Sequence, residues 1–270
     1  KKINFLSHII IGLDRANKEQ YLYAKNFFSS LKTPHSILWN DGPRLKELQL
    51  ELEDLNLGPI EQGKGKNVWS CIGYTIARNA AEAIAFHDCD IKTYSTEILI
   101  KLLYPIVSSK MSYDFSKGFY PRYADGKLNG RVTRLLVTPL IKSLLIIFGN
   151  NEYLNYIDSF RYPLAGEFAL RQNLLKQIRI PSDWGLEIGI LSELQRNHST
   201  KSCCQVDLAS QYDHKHQKLS ENNDKLGLSR MSIDITKALI RKMATIGLTF
   251  NEETFRSLKA TYFRKALEYI

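Results

Sequence analysis

The chain has 270 residues, of which 44% are apolar, 24% charged and 11% aromatic. Those proportions exclude a disordered or fibrous chain and allow a sizeable buried core, in one large domain or two modest ones. The formal net charge of +9 favours anionic partners. The densest basic run, Gly63-Lys64-Gly65-Lys66, is too short for a nucleic-acid patch, so phosphorylated metabolites are expected and nucleic acid is not.

In chain order, His8 to Leu13 is an apolar run that reads as a strand covered on both faces. Asp14 to Ser30 reads as a helix, and Ser36 to Trp39 as a second strand ending in the turn Asn40-Asp41-Gly42-Pro43. The next helix carries Leu45, Leu48, Leu52 and Leu55 on one face and stops at Asn56 to Pro59. A Gly/Lys loop then leads to a helix over Asn67 to Ala80, and Ala83 to Phe86 is a third strand. This alternation predicts an α/β fold with a mostly parallel central sheet, whose ligands sit beyond the carboxyl ends of the strands.

Beyond residue 110 the pattern is less regular. Met111 to Tyr123 has strand or hairpin character, Arg131 to Phe148 reads as a helix broken near Pro139, and Trp184 to Arg196 as a helix with Leu186, Ile190 and Leu194 on one face. Cys203 to Leu208 reads as a strand, Asp213 to Asp224 as a polar loop, and Ile233 to Met243 and Glu252 to Tyr269 as amphipathic helices. The expected organisation is residues 1–110 and 111–220 as two halves of one domain, with 221–270 as a helical C-terminal extension. The apolar stretch from Leu135 to Phe148 is too short to span a bilayer, so no membrane partner is expected. Cys71, Cys89, Cys203 and Cys204 form no CxxC pair, which argues against a zinc knuckle and for a reducing cytoplasm.

Asp88-Cys89-Asp90 directly follows the third strand. Two carboxylates so spaced can share a hard divalent cation such as Mg²⁺ or Mn²⁺, or divide between a cation and a ribose hydroxyl. In Gly63-Lys64-Gly65-Lys66, the glycines let backbone approach an anion and Lys64 supplies an ammonium. It is not a Walker A loop. Gly130-Arg131-Val132-Thr133-Arg134 opens a helix with amides, a hydroxyl and guanidinium groups suited to phosphate or carboxylate. His214 or His216, in the polar loop, can complete a metal shell, and Glu167 and Glu187 are candidate polar contacts to a sugar.

Read together, these segments resemble the retaining glycosyltransferases that make glucosyl-3-phosphoglycerate. The matching pieces, in family order, are Gly63-Lys64-Gly65 with Trp69, Asp88-Cys89-Asp90, Gly130-Arg131-Val132-Thr133, Pro163-Leu164-Ala165-Gly166-Glu167, Gly185-Leu186-Glu187-Ile188-Gly189 and Gln205-Val206-Asp207-Leu208. The resemblance implies a GT-A-type nucleotide-diphospho-sugar transferase fold. It implies transfer of glucose from UDP- or GDP-glucose to the 2-hydroxyl of 3-phosphoglycerate, with Mg²⁺, Mn²⁺ or another divalent cation as cofactor and a homodimer as the assembly. It assigns the metal to Asp90 and His214, with His216 as rival and Asp88 as a further ligand. Gly12, Leu13, Asp14, Lys64, Asp88, Asp90, Leu164 and Glu187 fall to the donor, and Gly130, Arg131 and Thr133 to the acceptor. Asp90, Glu187 and Lys64 are the catalytic set. Members of the family usually begin with a strand and a uridine-binding loop that residues 1–30 do not show, so that strand is expected in a segment preceding this chain. The alternatives are a mannosyl-3-phosphoglycerate-type synthase, a metal-dependent nucleotidyltransferase and a basic nucleic-acid-binding domain.

Overall fold

The computed structural model describes residues 3–59, 61, 63–124, 126–213 and 227–270. The chain forms two compact units, Lys1–Ala81 with Ile180–Asp183, and Glu82–Arg179 with Trp184–Ile270.

The first unit contains β1 (Ile9–Leu13), α1 (Lys18–Phe28), β2 (His35–Trp39), α2 (Pro43–Asp54) and α3 (Lys64–Arg78). β1 and β2 pair in parallel, with Ile11 opposite Ile37, as the alternation predicts. α1 begins at Lys18, not at Asp14, because Asn17 and Gln20 form a reciprocal capping box there. The residues before it serve the β2 turn instead: Trp39 donates its indole N–H to the Ala16 carbonyl at 2.7 Å, and Ala16 N–H donates to Asp41 at 2.9 Å. α3 also begins earlier than the loop reading places it. Lys64, Gly65 and Lys66 are its first turn, and the amides of Gly65 and Lys66 donate to the carbonyls of Asp183 and Ser182 at 3.1 and 2.8 Å. Those bonds satisfy donors that a helix N-terminus otherwise leaves open.

The second unit is built on a four-stranded sheet in the order β3-β7-β4-β8, formed by β3 (Ala83–Phe86), β4 (Phe115–Phe119), β7 (Phe168–Arg171) and β8 (Cys203–Asp207). β3, β4 and β8 run in one direction; β7 lies between β3 and β4 and runs against both. α4 (Thr96–Val107) packs on the sheet and buries Ile98, Leu102 and Ile106 almost completely. A small hairpin, β5 (Tyr123–Ala124) and β6 (Lys127–Leu128), precedes a π turn over Thr133–Val137 that runs into α5 (Thr138–Phe148). The break expected near Pro139 takes this form: Thr138 N–H bonds to the Thr133 carbonyl, five residues back, and the next residue, a proline, has no N–H to place. α6 (Glu152–Asp158), the short α7 (Gln172–Leu175), α8 (Leu186–Asn197), α9 (Gly227–Thr245) and α10 (Glu252–Leu267) complete the unit. α5 packs on α6 and α10, and α8 on α6 and α9, around Leu144, Leu154, Ile188, Leu191, Ile235 and Met243.

Candidate active site

In the second unit, β3 ends at Phe86 and His87 leads into the turn holding Asp88, Cys89 and Asp90. Asp88 is half-buried, whereas Cys89 and Asp90 are exposed. The turn rests on Gly166 and Glu167, just before β7. The Asp88 carboxylate lies over the α-carbon of Gly166 so closely that a Cβ there would meet its oxygens at 2.5 and 2.7 Å. Asp88 N–H donates to one Glu167 carboxylate oxygen at 3.4 Å, and the Tyr120 hydroxyl donates to the other at 2.6 Å. Glu167 is fully buried. With both oxygens so engaged it supports the turn, which differs from the sugar contact expected of it. Burial, and then the Glu167 charge, hold the Tyr120 hydroxyl well above its usual pKa, so it remains a donor.

Tyr212 stacks on Tyr120 with ring centroids 3.5 Å apart. The next residue, Asp213, is tied to the chain just beyond Asp90: its carbonyl accepts from Lys92 N–H at 2.8 Å, its carboxylate pairs with the Lys92 ammonium at 3.0 Å, and its own N–H donates to the Thr93 hydroxyl at 3.1 Å. His214 and His216 lie outside the described residues. Among the described residues no three metal-ligating side chains converge. Asp88 and Asp90 offer hard oxygen donors, a set that suits Mg²⁺ or Mn²⁺, cations that keep several waters and substrate oxygens in their shell.

The acceptor-type segment also lies in this unit. Gly130 has φ +80°, a left-handed conformation that favours glycine, and the Arg122 side chain packs beside it. Arg122 donates to the Tyr162 hydroxyl at 3.0 Å, and the buried Thr133 hydroxyl has no hydrogen-bond partner among the described residues. Arg131 is exposed, whereas Arg134 donates to the Tyr269 carbonyl at 2.7 Å and so serves the C-terminal packing. No motif in the sequence marks Arg122, which reaches this segment only through the bend between β4 and the hairpin. Leu164 is buried in the core. Glu187, also buried, stands in the first turn of α8, where the helix dipole favours a carboxylate.

In the first unit, the amides of Gly65 and Lys66 are consumed by residues 182 and 183, so this stretch does not present the open backbone expected for an anion. A Cβ on Gly65 would collide with the Pro181 carbonyl, which explains the glycine by packing. Lys64, half-buried, remains the cationic candidate at this helix end. Gly12 is explained in the same way, since Asn67 and Cys71 of α3 fill the space where its Cβ would be. Asp14 lies near the exposed Arg15, at 3.3 Å, and accepts from Asn40 at 3.4 Å, while Leu13 ends β1.

No protein-family model matches the chain. A glucosyl-3-phosphoglycerate synthase of Persephonella marina is 45% identical over 266 residues, covering 98% of this chain and 66% of that protein. One of Methanococcoides burtonii is 44% identical over 240 residues, covering 88% of this chain and 58% of that protein. The chain therefore spans just under two thirds of the length of the first relative and less of the second. Among solved structures, the mannosyl-3-phosphoglycerate synthase from Rubrobacter xylanophilus matches with a TM-score of 0.62 at 20% identity, over 91% of this chain and 75% of that one. The glucosyl-3-phosphoglycerate synthase from Mycobacterium tuberculosis, in complex with Mn²⁺, UDP-glucose and glycerol 3-phosphate, matches with a TM-score of 0.58 at 20% identity, over 88% and 79%. These likenesses and the strand-end carboxylates define the class: the fold is that of the GT-A glycosyltransferases. At 45% identity along nearly its whole length, the chain belongs to the glucosyl-3-phosphoglycerate synthase family.

Proposed function

We propose that this chain transfers glucose, with retention of configuration, from a nucleoside diphosphate glucose to the 2-hydroxyl of 3-phosphoglycerate. The observation that carries the reading is the strand-end turn of Asp88 and Asp90, buttressed from below by Gly166 and Glu167. Relatives named for that product support it, as does the Mn²⁺ and UDP-glucose named for the Mycobacterium tuberculosis complex.

Asp90 is assigned to the metal, with His214 as partner and His216 as the alternative; Asp88 is assigned to the nucleotide ribose, with a share in the metal. The bonds from Asp213 to Lys92 and Thr93 support a metal role for the histidines that follow. A divalent cation, Mg²⁺ or Mn²⁺, offsets charge on the diphosphate when bound. Lys64 is assigned to the donor's diphosphate. Leu164 and the Gly12-Leu13-Asp14 segment are assigned to the donor, and Glu187 to the transferred sugar.

Arg131, Gly130 and Thr133 hold the acceptor's phosphate and carboxylate, which fixes its 2-hydroxyl against the anomeric carbon. The hydroxyl oxygen bonds to that carbon on the face from which the diphosphate departs. The anomeric carbon–oxygen bond to the diphosphate breaks, and the hydroxyl proton passes to a leaving-phosphate oxygen. No protein base is required. Cys71, Cys89, Cys203 and Cys204 form no disulfide among the described residues, which suits the reducing cytoplasm we assign. Among the described residues no helix is long and apolar enough to cross a membrane. A homodimer completes the reading.

Asp90→Ala is the direct test. Its exposed side chain makes a folding defect unexpected, so the melting temperature should stay at the wild-type value while UDP release from UDP-glucose and 3-phosphoglycerate falls by about 10²-fold or more. Turnover close to wild type would overturn the assignment.

A further inference from the structure

Beneath the Asp88–Asp90 turn lies a buried polar assembly that the reaction as described does not use. Lys117 and Gly118 are consecutive residues of β4. Lys117 is 1% exposed, and its ammonium donates to the Ala165 carbonyl at 2.6 Å. Gly118 N–H donates to the Glu167 carbonyl at 2.8 Å. β4 thus grips residues 165 and 167 from one side. On the other side, Gly166 receives the Asp88 carboxylate and Glu167 receives the Asp88 amide. The Tyr120 hydroxyl, 2.6 Å from the second Glu167 oxygen, holds that carboxylate in place.

A fully buried lysine and glutamate are costly unless their donors and acceptors are engaged, and a hydrophobic pair would serve the core equally well. Each element of the assembly instead restricts Asp88. Without a Cβ at residue 166 the carboxylate settles onto the backbone, and with Glu167 fixed the Asp88 amide has a fixed acceptor. We propose that Ala165-Gly166-Glu167, clamped by Lys117 and Tyr120, is a positioning device that sets the Asp88 carboxylate for the metal–nucleotide end of the donor. The inference rests on the roles given above to Asp88 and Asp90. It assigns Gly166, Glu167 and Tyr120 to donor and metal affinity, not to the acceptor.

The test uses the full chain carrying Gly166→Ala, Glu167→Gln or Tyr120→Phe. Glu167→Gln leaves an acceptor for only one of the two donors, because an amide nitrogen then faces the other. Calorimetric titration with UDP, in the presence and absence of Mn²⁺, is set beside the melting temperature and the KM for 3-phosphoglycerate. Loss of support for a metal-site group typically weakens metal affinity about 10–100-fold. The expected result is Mn²⁺-dependent UDP affinity reduced about tenfold in Gly166→Ala and Glu167→Gln, with the acceptor KM unchanged. Tyr120→Phe removes one hydroxyl while keeping the stack on Tyr212, so it carries the test should the other two fail to fold. Unchanged Mn²⁺-dependent affinity in the folded variants overturns the clamp and leaves the proposed function standing. An acceptor KM that rises in step with the loss of donor affinity also overturns it, as a general loosening. Absence of Mn²⁺-dependent UDP binding by the wild type overturns the proposed function and the clamp with it.

Discussion

His87 joins β3 to the Asp88 turn, and both of its ring nitrogens are shielded from solvent without a hydrogen-bond partner among the described residues. Its ring meets Tyr94 edge-on, with centroids 5.4 Å apart. Burial lowers its pKa from 6.5 to about 4, against a weaker opposing pull from Asp88. The unfolded chain therefore takes up the proton first as pH falls. The stability contributed by the neutral ring is complete above pH 6.5 and is lost on descending to about pH 4. The whole loss amounts to about 3 kcal/mol. His87→Phe should flatten that descent when melting temperatures are followed from neutral to acid pH; equal losses in variant and wild type would show that this histidine does not cause them. At this scale the sequence marks Asp88 and Asp90, because an apolar strand runs straight into them. It does not mark the support given by Glu167, whose partners are 79 and 47 residues away along the chain and meet it only after the sheet forms.

Among the elements, β1, β2, β3, β8, α8 and α10 follow the apolar spacing of their residues closely, whereas α2 forms where its leucines place it but leaves Leu48 and Leu55 exposed. α4 does not announce itself, because Pro105 interrupts its last turn, yet Ile98, Leu99, Leu102, Leu103 and Ile106 keep helical spacing and all are buried. Leu102 is 0% exposed. Leu102→Ala should therefore cost about 2–5 kcal/mol in chemical unfolding; a loss under about 1 kcal/mol would contradict the packing of α4 on the sheet. β7 is hidden for another reason. It has four residues, Phe168 to Arg171, and pairs with β3 and β4 from far away in sequence, so no local pattern specifies its direction. The start of α3 is obscured by Gly63 and Gly65, which weaken helix propensity. Tertiary bonds to residues 182 and 183 prevail there.

For the whole molecule, the order of the motif segments foretells the GT-A fold and the family more fully than composition can. The +9 charge distinguishes only the sign of the partner. What the chain order does not convey is that residues 165–167, 120 and 212–213 gather around a turn at residues 88–90, since each arrives from a separate element. Product analysis probes the role of that turn as a donor site. The full chain is incubated with Mn²⁺ or Mg²⁺, 3-phosphoglycerate, and UDP-glucose, GDP-glucose or GDP-mannose in turn, and the products are resolved by NMR. The expectation is glucosyl-3-phosphoglycerate, linked at the 2-hydroxyl with the donor's α configuration and formed only with divalent metal. A β-linked product, a product formed equally well in chelator, or a mannosyl product alone would contradict it.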